Sequence, residues 1–325
     1  MPSYPFPNGR SFVSVVRLKL AGWISRSLLP TFPLLLSGYL WGQSTNPLAL
    51  LKQPTPPARG QITYGKDSLQ FGEIRVPAGN GPFPVAILVH GGCWSAKLKD
   101  LPEAVTSFEL LRPIASALAD AGIASWNIEY RRLGNPGGGW PGTYQDLSRG
   151  TDLLGDIASG YHLDLSRTIA IGHSSGGQLA MWLGARGRLP KNSPLYTDSP
   201  LPLKGVVDID GPPDLETFRA FEQPMCGGPV ITQFFGGTPA EFPERYREGS
   251  VAGLLPTGAR QELFIRAKPA EMHGLLEQYV GVAKKAGDPV RLFTFKGDSH
   301  FDGINPTAPD WETVMASIRS LLRNP

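Results

Sequence analysis

A chain of 325 residues with 41% hydrophobic and 18% charged residues has the apolar content of a globular protein with a sizeable core, which excludes a disordered chain. Its net charge of +3 rests on Arg10, Arg17, Lys19 and Arg26; the first 44 residues hold no acid, so the remainder carries about −1, which argues against a nucleic-acid-binding surface. The two cysteines, Cys93 and Cys226, form no CxxC pair or Cys/His cluster, which argues against a structural zinc site.

Residues 1–44 open basic and turn apolar in "LLPTFPLLLSGYLWG". That run is shorter than the roughly 18–20 residues of a spanning helix and is broken by Pro30 and Pro33, so a signal peptide fits better than an anchor. Gly42 and Ser44 suit cleavage just after Ser44, leaving an exported chain with no stable membrane span. The alternative is an apolar extension of a cytoplasmic protein. Residues 45–60, "TNPLALLKQPTPPARG", are proline-rich and read as a linker or extended lead-in, and the folded domain is expected over 61–325.

From there the pattern alternates. Residues 69–77 predict an early antiparallel strand, and the continuous apolar run "PVAILVH" (84–90) predicts a strand buried on both faces. A helix follows over 107–122, ending on glycine. Next come a strand (123–130), a helix (144–158), a strand (167–172), a helix (177–186) and a strand (204–210). A strand (262–267), a helix (274–287), a strand (290–297) and a helix (311–322) complete the series. Strands separated by helices predict an α/β fold, a mostly parallel sheet flanked by helices in one domain. The irregular stretch 211–255 is too long for an ordinary connection and reads as a short cap or insertion.

Chemistry gathers at the strand ends. "GHSSGG" (172–177) satisfies GxSxG between a strand and a helix, the context in which a tight turn projects Ser174 as a nucleophile. A flexible glycine loop is the plainer alternative, and a phosphate loop would need GK[ST] or GxGxxG, both missing. A serine hydroxyl needs a base. Of five histidines, His300 in "FKGDSHFDG" follows the last strand on a polar loop that can reach back to the serine, whereas His173 inside the turn is expected to pack. "HGGCW" (90–94) exposes backbone amides after a buried strand. Those of Gly92 or Cys93, with that of Ser175, are candidates to hold a developing oxyanion. Cys93 and Cys226 are either bridged or two buried thiols. Trp94, Trp140 and Tyr130 line a pocket or simply pack. Arg131 and Arg132 are read as structural ion pairs, and Asp146 and Asp152 as helix-surface or cap residues.

With these residues in place the chain closely resembles the α/β-hydrolase superfamily, in the bacterial esterase group related to bifunctional feruloyl and acetyl xylan esterases and to kynurenine formamidase. The resemblance is carried by "HGGCW" (90–94), "WNIEYRRLGNPGGGWPGTYQD" (126–146), "GHSSGGQLAMWLGARGRLP" (172–190), "CGGPV" (226–230), "FFGGTPAEFPERY" (234–246) and "GDSHFDGINP" (297–306), and covers most of 60–322. It implies a serine hydrolase of small ester substrates with Ser174 as nucleophile, His300 as base, an oxyanion hole at Gly92, Cys93 and Ser175, and no cofactor. Arylformamidase or small-peptide amidase chemistry uses the same parts, and a catalytically impaired binding protein would keep the fold. One place departs from the family. Where HGxxD usually supplies the acid that orients the histidine, this chain has "LFIRAKPAEMHG". Chain order makes Glu271 the expected acid, with Asp210, beside Asp208 at the end of the preceding strand, as the alternative. Oligomeric state and acyl specificity are left open.

Overall fold

The computed structural model describes residues 45–97 and 106–323, and the leader expected over residues 1–44 lies outside them. The chain runs α1 (Pro47–Leu50), β1 (Gly60–Thr63), β2 (Phe71–Arg75), β3 (Phe83–Val89), α2 (Arg112–Asp120), β4 (Ala124–Ile128), α3 (Gly142–Asp152), α4 (Leu154–Ile157), β5 (Leu163–His173) and α5 (Ser175–Ala185). It continues with β6 (Gly205–Ile209), α6 (Leu215–Phe218), α7 (Glu222–Cys226), α8 (Val230–Phe235), α9 (Pro243–Gly249), β7 (Arg260–Arg266), α10 (Ala270–Ala286), β8 (Val290–Phe295) and α11 (Trp311–Leu322). The eight strands form one sheet in the order β1-β2-β4-β3-β5-β6-β7-β8. β1–β2 and β2–β4 pair antiparallel, and every later pairing is parallel.

Burial on both faces explains the apolar runs. In β3, Val85, Ile87 and Val89 join a core with Leu147, Leu179 and Leu276 from α3, α5 and α10. Ala86 and Leu88 point to the opposite core, with Ile114 of α2 and Ile318 of α11. A strand whose side chains alternate between two dry layers has no polar face, so its pattern is continuous rather than alternating.

Three expectations change in detail. The lead-in over 45–60 is not a free linker: Leu50 is buried in the second core, and Gly60 already starts β1. The helix expected from residue 107 begins with a 3₁₀ turn at Glu109–Leu111, and its α-helical part starts at Arg112, where Pro113 at the second position is tolerated because the first amides have no intrahelical acceptor. The irregular stretch 211–255 is a cap of four short helices, α6 to α9. No helix among the described residues is long and apolar enough to cross a membrane.

The cap is fastened at both ends. Cys226, the last residue of α7, is disulfide-bonded to Cys93 on the loop after β3, a separation of 133 residues. At the other end, Tyr144 Oη and Gln178 Nε2 donate to the Gly249 carbonyl at 2.9 and 2.7 Å, and Trp182 Nε1 donates to the Glu248 carbonyl at 2.9 Å. A cross-link of this kind typically contributes about 2–4 kcal/mol. Cys226→Ser in the oxidised protein is therefore expected to lower Tm by roughly 5–15 °C. Non-reducing mass spectrometry of the parent protein should find no alkylatable thiol; two free thiols would contradict the bridge.

Candidate active site

The central strand β5 ends at His173, and Ser174 turns sharply at φ 56° and ψ −126°, a conformation that costs a side-chain-bearing residue energy and is kept only where neighbours enforce it. The enforcement is visible. Ser174 donates its amide to the Ile209 carbonyl at 2.8 Å. A β-carbon at Gly172 would lie 1.9 Å from the Gly176 carbonyl oxygen, and one at Gly176 2.1 Å from that of Val89. Only glycines let strand, turn and helix approach so closely. α5 begins at Ser175, so its first amides have no intrahelical acceptor and the positive end of its dipole lies under the serine.

Asp210 sits one residue beyond β6, also at positive φ (62°), with its amide donated to the Phe264 carbonyl at 2.7 Å. Its Oδ2 accepts a hydrogen bond from His300 Nδ1 and another from Arg266 Nε, the latter at 2.5 Å. Burial pushes the Asp210 carboxyl up, but the charges and hydrogen bonds of His300 and Arg266 outweigh it and hold the group down at about 2. Asp208, two residues earlier and fully enclosed, goes the other way: burial first, then the nearby Asp210 charge, raises it well above the usual carboxylate range. Its Oδ1 accepts the Gly211 amide at 3.0 Å and its Oδ2 has no partner among the described residues. The two neighbouring acids are thus shifted in opposite directions, Asp210 down and Asp208 up.

Glu271 is not the acid beside His300. It lies on the exposed first turn of α10 and makes no hydrogen bond to His300 among the described residues. The physical reason is the short path after β7: only Ala267, Lys268 and Pro269 separate Arg266 from the helix, so the segment expected to carry the acid as a loop is already helical. Ser174, His300 and Glu271 nevertheless open on one cavity of about 680 Å³. Ser174 Oγ and His300 are not hydrogen-bonded among the described residues, and in apo structures such contacts often tighten only around substrate.

His173 behaves as a packing residue. Its Nε2 donates to the His300 carbonyl at 2.8 Å and its ring lies 4.5 Å from that of His300. Burial, then the neighbouring His300 charge, lowers it to about 3, so it stays neutral and fixes the loop without competing for protons.

Gly92, Cys93 and Ser175 line the same cavity. Gly92, Cys93 and Trp94 all take positive φ (114°, 51° and 53°), which turns this loop toward the serine. The Cys93 and Ser175 amides donate to no carbonyl of the described residues and are free to meet an oxyanion. The loop is braced from behind by His90, whose Nε2 bonds Glu129 at 2.9 Å and whose carbonyl accepts Tyr130 Oη at 2.6 Å. Trp94 lines the cavity, with Nε1 donated to Gln178 at 3.0 Å, whereas Tyr130 and Trp140 pack in the core. Arg131 pairs with Asp146 at 2.7 Å and Arg132 with Glu129 at 3.3 Å. Asp146 is thus a buried ion-pair partner rather than a surface or cap residue, because Gln70 as well as Arg131 takes its carboxylate. Asp152 likewise pairs with Arg186. Arg266 was not foreseen: an arginine closing an apolar strand carries no motif, and its partner becomes visible only when β6 and β7 lie side by side.

No curated protein matches the chain in sequence. Among solved structures, a truncated carbohydrate esterase from gut microbiota superposes with a TM-score of 0.65 at 17% identity, covering 82% of this chain and 96% of that one. Esterase B from Lactobacillus rhamnosis gives 0.68 at 16% identity, with 85% and 89% covered. An acetyl ester-xyloside bifunctional hydrolase from Caldicellulosiruptor lactoaceticus gives 0.63 at 17%, with 81% and 96% covered. At these identities the likeness is one of fold, an α/β-hydrolase sheet with its helices. The family model described as BD-FAE matches residues 73–253, more than half of the chain from β2 through the serine turn to the end of the cap, and the protein belongs to that family.

Proposed function

We propose that this protein is an exported serine carboxylesterase that cleaves small or medium acyl esters through an acyl-enzyme. The observation that carries the reading is the strained Ser174 turn opening on the same cavity as His300, whose Nδ1 is held by the buried Asp210 carboxylate. Asp210 fixes the tautomer that leaves His300 Nε2 as the proton acceptor and stabilises the imidazolium that forms. Ser174 Oγ bonds to the ester carbonyl carbon as its proton passes to Nε2. The Cys93 and Ser175 amides, with that of Gly92 in reserve, receive the negative oxygen. The bond to the leaving alcohol then breaks as His300 returns the proton to it. Water repeats the sequence on the acyl-enzyme, releasing the acid and restoring Ser174.

Leu110, Phe218, Phe221 and Met225 make the cavity wall apolar, which suits an acyl chain or ring. The carbohydrate-esterase and acetyl ester-xyloside hydrolase neighbours add esters of carbohydrates to the candidate substrates. The Asp210–His300 pair supports reading the missing HGxxD as a displaced acid rather than a lost activity. Export after Ser44 is supported by the Cys93–Cys226 bridge, since disulfides persist in oxidising compartments.

Ser174→Ala is expected to lower kcat by about 10³-fold or more and to abolish labelling by a fluorophosphonate probe. The substrate panel is p-nitrophenyl esters of increasing chain length, acetylated xylan, feruloyl esters and N-formylkynurenine; turnover of the formamide alone would move the reading to an arylformamidase. Asp210→Asn should cost kcat about 10³–10⁴-fold at an unchanged fold, while Glu271→Gln should stay within about threefold, as expected for an exposed residue not bonded to the base. The reverse ranking would return the role to Glu271. Protein recovered from its own host should begin at Thr45, and an intact Met1 in the cytoplasmic fraction would reject export.

A further inference from the structure

Thr45 makes a contact that neutral groups do not fully explain. Thr45 donates its backbone amide to Asp302 Oδ1 at 3.1 Å, and its hydroxyl donates to the same oxygen. Asp302 Oδ2 accepts the Ser299 amide at 2.9 Å, and Ser299 Oγ donates to the Thr45 carbonyl at 2.6 Å. Asn305 Nδ2 reaches Thr45 Oγ1 at 3.0 Å, and Gln53 Nε2 reaches Asn305 Oδ1 at 2.8 Å. Asp302 is only 5% exposed, yet no lysine, arginine or histidine of the described residues lies within salt-bridge distance of it. A buried carboxylate met only by neutral donors lacks the compensation that a buried charge ordinarily finds.

The backbone nitrogen lying against this carboxylate is that of Thr45, the residue at which the small-residue pattern of the leader places the start of the mature chain. The two observations are independent: one comes from Gly42 and Ser44 in the sequence, the other from a side chain 257 residues away. We infer that Asp302 is the receiving site for the α-ammonium group freed when the chain is cut after Ser44, and that this ion pair positions the loop carrying His300. Hydrolysis of the Ser44–Thr45 peptide bond by water leaves a carboxylate on Ser44 and, with the proton taken up at neutral pH, an ammonium on Thr45. A neutral N–H donor thereby becomes a cation in place, and charge-assisted hydrogen bonds are roughly twice as strong as neutral ones.

The consequence reaches the base directly. Ser299 and Phe301 flank His300; the Ser299 amide and hydroxyl are both committed to the Asp302–Thr45 network, and the Phe301 amide donates to Ser299 Oγ at 3.2 Å. Thr45 and Asp302 touch neither substrate nor reacting atoms, so both are positioning residues. Removal of the leader then does more than release the chain: it completes the support under the imidazole.

This inference rests on the export reading, and its test is independent of any ester being turned over. The full-length protein is prepared with a recognition sequence immediately before Thr45 for a protease that leaves no residue behind, and is compared before and after cutting. A second preparation moves the cut one residue upstream, so that the amine falls on Ser44. Cutting at Thr45 is expected to raise Tm by about 3–6 °C and kcat on a p-nitrophenyl ester by about threefold or more with KM little changed, because small misplacements of a base are costly. The upstream cut, and the Thr45 cut in Asp302→Asn, should give neither rise. Equal Tm before and after the Thr45 cut, or an equal rise from the upstream cut, overturns the inference. Should Asp302→Asn fail to fold, the upstream cut still decides. Because Tm needs no substrate, a protein inactive on every ester would refute the esterase reading and leave this result standing.

Discussion

The Asp210 carboxylate is the constraint around which the site is arranged. A charge buried at the end of a parallel strand is tolerable only where a cation and hydrogen-bond donors meet it, and here the Arg266 guanidinium and His300 Nδ1–H converge on one oxygen from two other elements. That convergence needs β6, β7 and the loop after β8 in adjacent register, which the pairing of Ile209 with Phe264 and of Arg266 with Phe295 provides. Asp208, two residues away in the same dry layer, is shifted the opposite way, because burial and the nearby Asp210 charge both disfavour a second anion there. The sheet order therefore sets the electrostatics of the Asp210–His300 pair as well as its position.

Much of this was legible along the chain because parallel α/β folds write their layers as long apolar runs. The turn at Ser174 could be read because its glycines answer a local steric demand, and the nearness of His300 to it because the last strand and its polar loop left few rivals. The carboxylate that bonds His300 could not be read the same way. Glu271 satisfied chain order, and chain order says nothing about whether Pro269 is followed by a loop or by a helix. The signal that was present, two acids closing the apolar strand "KGVVDID", pointed to a buried carboxylate without saying which one would be charged. That depends on Arg266, a partner 56 residues away. The strand at Gly60–Thr63 was hidden for another reason. An edge strand with alternating exposure, placed after "PTPPARG", has too few apolar residues to stand out from the lead-in.

Arg266 places a cost on this arrangement that a simpler acid–histidine pair would not have. By sharing Oδ2 it lowers the basicity of Asp210, and in the proposed mechanism a less basic carboxylate would stabilise the imidazolium less. In return it anchors Asp210 from the neighbouring strand, so the direction of the carboxylate does not rest on His300 alone. An acid placed on a mobile loop after β7 would lack that second anchor. An acid at the end of β6 exchanges some electrostatic strength for a fixed direction, and in the proposed mechanism direction governs whether the Nε2 lone pair points at Ser174.

The same coupling recurs on the other side of the serine. The loop after β3 is joined through Cys93 to α7, and α6, α7 and the residues between them supply Phe218, Phe221 and Met225 to the cavity wall. The Cys93 loop and this part of the wall are thus parts of one cross-linked unit. A change that reshapes the wall at α7 must pass its strain through the bridge to the Cys93 amide, because the far end of the cap is already pinned at Glu248 and Gly249 by Trp182, Tyr144 and Gln178. Leu110, by contrast, reaches the cavity from the 3₁₀ turn before α2, outside the bridged unit.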